Sequence, residues 1–351
     1  MGKYMLRWKI KNKIESDSSA MIILLLISLI FLFFISFFLG KYPIYPQEIV
    51  MAIVSKILHI PSMSTPTINT IIFDIRMPRI LAAMMVGAAL SVAGAAFQAL
   101  FRNPLVSPDK LGVSAGAGFG ATLAILFSAG VIMIQTSAFV WGLIAVGLTY
   151  FFGRRFKGSS MMTLVLCGIV VASLFAALLS LVKYFADPND QLQSIVFWLL
   201  GSLASVTNQE IAIVALPILI GTAILLMVRW RLNILAMGEE EAQSLGIHTK
   251  RIEGIIIICC TLVTAASVSI CGIIAWVGLV IPHMTRMIVG PDHKILLPAS
   301  IIIGAFFLLL IDDIARTVTT TEIPLGLLTT FIGAPFFIYL LIKTGDSRRW
   351  S

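Results

Sequence analysis

Residues 20–39 form a run of twenty without a charge, broken only by Ser28 and Ser36, and this run constrains the chain more than any other feature. A helix of that length spans about 30 Å, the thickness of the hydrocarbon layer of a bilayer. Nine further apolar segments follow, at 80–100, 111–127, 131–152, 161–181, 211–228, 255–274, 277–289, 296–311 and 325–342. Hydrophobic residues make up 59% of the 351 and charged residues only 12%, more apolar surface than one soluble core could bury. The expected fold class is therefore an all-α polytopic membrane protein with ten transmembrane helices. The first run exceeds a secretory h-region, and Gly40-Lys41-Tyr42-Pro43 offers no small-x-small cleavage site, so it reads as a span and not a leader. Three regions result: a basic segment 1–19, a transmembrane domain 20–342 and a tail 343–351.

Charge orients this arrangement. With ten spans both termini share a side, and nineteen Lys and Arg fall on that side against six on the other, which places both termini in the cytoplasm. The net charge of +8 is accounted for by orientation and calls for no nucleic acid. Cys167, Cys259, Cys260 and Cys271 lie in apolar spans without metal-site spacing and read as packing residues. The span interiors hold almost no ionisable groups, which disfavours an ion-coupled carrier. No GxxxxGK[ST] occurs, so a motor, if there is one, sits on a partner. Gly112, Gly116 and Gly120 form a stripe for close helix packing, and Gly87, Ser91 and Ala95 form a second.

One polar stretch stands between two apolar runs: Gly238-Glu239-Glu240-Glu241-Ala242-Gln243-Ser244-Leu245-Gly246. Three acids at a helix start, Ala242 and Leu245 three apart, and a closing glycine predict a short amphipathic helix with a glycine C-cap. On the cytoplasmic side it is a docking handle for the groove of a soluble partner.

A further set of motifs carries a resemblance. Arg76-Met77-Pro78-Arg79, Val86-Gly87-Ala88-Ala89-Leu90, Gly94, Gln98 and Arg102-Asn103-Pro104-Leu105 are similar, in order, to the permease subunits of binding-protein-dependent ABC importers for ferric siderophores, haem and cobalamin. So are the stretch from Gly238 to Gly246, Gly278-Leu279-Val280-Ile281-Pro282-His283, Gly290-Pro291-Asp292-His293, Leu297-Pro298, and the segments from Asp312 to Arg316 and from Glu322 to Gly326.

The resemblance implies a type II importer permease: a second copy of this chain, two cytoplasmic ATPases that hold ATP and magnesium, an extracytoplasmic substrate-binding protein, and no cofactor or metal on this chain. It assigns ATPase coupling to Glu239, Glu240, Glu241, Ala242, Leu245 and Gly246 within 238–247. It assigns binding-protein docking to Arg76, Arg79 and Arg316, whose planar forks suit carboxylates. The competing reading pairs these arginines with Asp74, Asp312 and Asp313. The pore is expected mainly from the second and fifth spans, with Gln98 either facing it or bonding a neighbouring backbone. Asn103 and Leu105 are gate candidates, with an ordinary turn as the competing reading of Asn103-Pro104. Ferric siderophore is the expected cargo, with haem, cobalamin or an oxyanion such as molybdate as alternatives, and the location is the cytoplasmic membrane. A secondary carrier and a non-translocating receptor are the other function classes.

Overall fold

The computed structural model describes residues 20–59, 65–155 and 161–345, and among these the chain is helical with no strand. The basic segment 1–19 and all but the first three residues of the tail lie outside the described residues. In chain order the helices are α1 (Ala20–Ser36), α2 (Pro46–Leu58), α3 (Pro66–Leu100), α4 (Val113–Leu126), α5 (Val131–Arg155), α6 (Met161–Phe185) and α7 (Gln191–Leu200). They continue as α8 (Asn208–Met237), α9 (Glu239–Ser244), α10 (Thr249–Cys271), α11 (Val277–Val289), α12 (His293–Thr317) and α13 (Leu325–Gly345).

Every predicted apolar segment forms a helix, but among the described residues only α3, α5, α6, α8, α10 and α12 are long and apolar enough to cross a bilayer. With 14 and 13 residues, α4 and α11 are only about 20 Å long. The expected ten crossings therefore resolve into full-length helices and shorter ones. Two short helices outside the predicted spans, α2 and α7, complete the bundle.

Side-chain size decides which helices lie inside. In α3 78% of the apolar window is buried, against 22% in α5 and in α6. The α3 surface is built from Gly, Ala and Ser, so neighbouring backbones reach it. A Cβ on Gly87 would stand 2.2 Å from the Gly304 carbonyl oxygen of α12, and one on Gly94 1.8 Å from the Gly278 carbonyl oxygen of α11. The α4 stripe meets α5 in the same way: a Cβ on Gly116 or Gly120 would stand 2.4 Å from the carbonyl oxygen of Trp141 or Ser137. The two most extensive helix contacts, α3 with α12 and α4 with α5, are these pairs. In lipid, where apolar surface gains nothing from leaving the solvent, such close van der Waals contact is what holds helices together.

The start of α3 was hidden in the sequence by Asp74, Arg76 and Arg79. Pro78 has no N–H to give the carbonyl one turn earlier, and the backbone widens into a π turn over Ile71–Arg76, with the Met77 N–H bonded to the Ile72 carbonyl. Between α3 and α4 the chain makes a 3-10 turn at Pro108–Leu111. Its polar backbone is met from inside the protein: the Thr149 hydroxyl donates to the Leu111 carbonyl at 3.0 Å, and the Ser114 hydroxyl donates to the Asp109 carboxylate. Desolvation pushes the Asp109 carboxyl above the usual carboxylate range, although the Ser114 bond opposes it.

Candidate coupling and docking sites

The acidic segment forms α9 at one end of the bundle. Gly238, at φ 144°, ends α8 and starts α9 in a backbone conformation that side chains rarely adopt. The other end closes as a Schellman motif: the Ile247 N–H reaches the Ala242 carbonyl at 3.0 Å, the Gly246 N–H reaches the Gln243 carbonyl at 2.9 Å, and Gly246 is left-handed at φ 78°. The predicted glycine cap is present. Ala242 and Leu245, expected on one face, point apart: Ala242 is fully buried against the bundle, whereas Leu245 is 62% exposed. The reason is that the helix ends at Ser244, so Leu245 already belongs to its C-cap. Glu239, Glu240 and Glu241 are exposed. The helix thus offers solvent an acidic turn and one apolar side chain, and is rooted by a methyl group.

The next turn of backbone is also fastened. Asn233, one turn before the end of α8, uses both ends of its amide: Nδ2 donates to the Asp292 carboxylate at 2.6 Å, and Oδ1 accepts from the His293 backbone N–H at 2.8 Å, with His293 Nδ1 also at 2.8 Å. Asp292 in turn caps α12, accepting from the Lys294 N–H at 2.9 Å. Burial alone would raise the Asp292 carboxyl, but the Lys294 N–H, the Asn233 amide and the Lys294 charge outweigh it and hold the group below its ordinary value.

The opposite end of the bundle carries the three arginines, and all are buried. Arg79 places its guanidinium between two carboxylates, bonding Asp312 and Glu322 at 2.9 Å each. Arg316 bonds Asp313 and the Ser36 carbonyl, and the Ser36 hydroxyl donates to Asp313 at 2.6 Å. Arg76 closes the carboxyl end of the α1 region, donating to the Phe37 carbonyl and, at 2.5 Å, to the Tyr42 carbonyl beside Gly40. Three positive and three negative side chains balance in this cluster. Arg76, Arg79 and Arg316, the expected docking residues, are thus engaged by partners within the chain. Burial in a low-dielectric interior requires a charge to be satisfied: α12 and its following loop supply carboxylates to Arg79 and Arg316, and backbone carbonyls hold Arg76. Of the competing partners, Asp312 and Asp313 serve, whereas Asp74 is exposed. Glu322, which the sequence marks only as the start of a motif, was not read as a partner of Arg79.

A family model for the FecCD transport family matches residues 28–343. The chain belongs to this family. It is 41% identical over 278 residues to the molybdate import system permease protein MolB of Haemophilus influenzae, covering 79% of this chain and 82% of that one. It is 39% identical over 298 residues to a protein of Helicobacter pylori named as a probable iron chelatin transport system permease, covering 85% and 90%. A solved ABC transporter chain, described as of the metal-chelate type and inward-facing, superposes with a TM-score of 0.84 at 37% identity over 93% of this chain and 99% of that one. The fold is that of a type II ABC importer permease, and the chain is a multi-pass membrane protein.

Within this FecCD fold most of the second span, α3, is packed by α12, α10, α8 and α11. Gln98 is only 2% exposed; its Nε2 donates to the Leu279 carbonyl at 3.1 Å, and its Oε1 accepts from Arg286 at 3.4 Å. It bridges α3 and α11. Asn103 and Leu105 are exposed, and the Leu105 N–H donates to the Asn103 side chain at 2.9 Å, an Asx turn. The fifth span, α6, does keep an open apolar face, with Val170 and Leu174 more than half exposed.

Proposed function

We propose that this chain is the membrane subunit of an ATP-driven importer in the cytoplasmic membrane, working as a pair of identical copies around a pore lined in part by α6, with both termini in the cytoplasm. Hydrolysis belongs to two separate ATPase subunits that seat α9. The observation that carries this is α9 itself: exposed Glu239, Glu240, Glu241 and Leu245 on a short helix that starts at Gly238, is closed by Gly246 and is rooted by Ala242. A substrate-binding protein docks at the opposite end, on helix ends that the Arg76, Arg79 and Arg316 cluster holds in place. Asn103 and Leu105 stand at the inner mouth as gate residues. Transport proceeds by alternating access.

The cargo is a metal-bearing solute. Ferric siderophore is the first reading, supported by the likeness to the Helicobacter protein and to the metal-chelate transporter. Molybdate is the second, favoured by 41% identity to the Haemophilus protein; cobalamin and hemin permeases are also among the relatives. The test is uptake into proteoliposomes holding this chain and its ATPase, with ATP inside and the binding protein outside. ATP-dependent accumulation of one cargo supports the importer and selects between readings; accumulation without ATP overturns it in favour of a carrier.

A further inference from the structure

The segment Gly290-Pro291-Asp292-His293 has no role in the function described so far, yet it is tied to the chain that leads into α9. Asn233 lies one turn before Met237, the last residue of α8, and α9 begins after a single glycine. A partner that moves α9 therefore pulls on the backbone of α8 within one helical turn of Asn233. From there three contacts, the Asp292 carboxylate, the His293 N–H and the His293 ring, lead into the first turn of α12.

What α12 connects makes this attachment informative. The helix runs for 25 residues, about 37 Å, from His293 at the α9 end to Arg316 and Thr317 at the other. Along its middle it is locked to α3 by the Gly87–Gly304 approach, where backbone meets backbone and neither side can yield. At its far end Asp312 and Asp313 hold Arg79 and Arg316. The same α3 is joined to α11 by Gln98, through the Leu279 carbonyl and Arg286. A displacement entering at Asn233 thus reaches packed, stiff elements that extend to the opposite face of the protein.

We propose that Asn233 is a positioning residue for transport: it fastens the α8–α9 junction to the Asp292-His293 loop, so that movement of α9 is passed to α12 and α3. This rests on the reading of α9 as the ATPase contact. The role requires an uncharged amide that donates at one end and accepts at the other, which Asp292 and the His293 N–H match.

The experiment compares uptake with ATP hydrolysis in the reconstituted full complex, using molybdate and a ferric hydroxamate siderophore as probes. Asn233→Ala is expected to assemble and hydrolyse ATP, with uptake per ATP reduced about tenfold, the effect of losing one charge-assisted hydrogen bond. Asn233→Asp sets a second carboxylate against Asp292 and behaves the same way. The double variant Asn233→Asp, Asp292→Asn reverses donor and acceptor across the contact, keeps an N-cap on α12, and is expected to restore the ratio to within about twofold of wild type. A role confined to folding would lower assembly and hydrolysis together and leave uptake per ATP unchanged, which overturns the proposal. Failure of the double variant to restore the ratio, with hydrolysis intact, also overturns it. Wild-type complex that hydrolyses ATP but takes up neither probe overturns the importer reading for both cargoes, and the fastening with it.

Discussion

The two ends of this molecule carry their charges in opposite ways. At one end Arg76, Arg79 and Arg316 are buried, matched with Asp312, Asp313, Glu322 and backbone carbonyls, and confined to one arrangement. At the other, Glu239, Glu240 and Glu241 stand in solvent on six residues of helix. Buried, paired charges define how helices meet, and they are costly to disturb. Exposed acids contribute little to stability and stay open to solvent. The difference separates buried framework from exposed surface by burial and pairing and not by residue type.

Removing the framework should have the largest effect. Arg79→Ala leaves Asp312, which has no exposed surface, without its main partner, and is expected to lower stability by about 3–5 kcal/mol, read as a fall in the thermal midpoint of the detergent-solubilised protein. Gly304→Val comes next: a side chain directed at the Gly87 carbonyl must separate α3 from α12, at a cost of about 1–3 kcal/mol or more by the same assay. Replacing Glu239, Glu240 and Glu241 together by Gln should shift stability by no more than about 0.5 kcal/mol while abolishing co-purification of the ATPase. A large loss of stability in that variant would erase the contrast between the two ends. The smallest effect is with pH. Because Asp292 is held below its ordinary value in the folded state, its contribution is present above the unfolded pKa of about 4 and fades as pH falls through the lower folded value. The midpoint difference between wild type and Asp292→Asn should therefore narrow below about pH 4, and a difference that widened there would reverse the sign.

Helix positions were legible because lipid imposes long apolar runs, and the glycine stripes were legible because close packing leaves a four-residue period in the sequence. The limits of α3 were not, since Asp74, Arg76 and Arg79 interrupt the apolar run, and α12 neutralises two of the arginine contacts only in three dimensions. Helix α2 left a local sign, Pro46 at its first position with Glu48 bonded back to the Tyr45 N–H, that a search for spans passes over. The short helix α9 could be read with its glycine C-cap, because capping is local; which way Leu245 points could not, because that depends on where the last turn stops. Glu322 and Asn233 act on residues 243 and 59 positions away, respectively, and no spacing rule connects them.

The π turn over Ile71–Arg76 has one more consequence. A turn of this kind holds one residue more than a regular helix, so the segment is a register shift kept permanently in place. Deleting any one of these residues would let the helix close into the ordinary spiral and would turn everything before it, α2 and the approach from α1 included, by about 100° against the rest of α3. The outer rim and the core of this protein are thus set in rotational phase by a single surplus residue, and a one-residue deletion there would act on the rim as a whole and not only at the site of the cut.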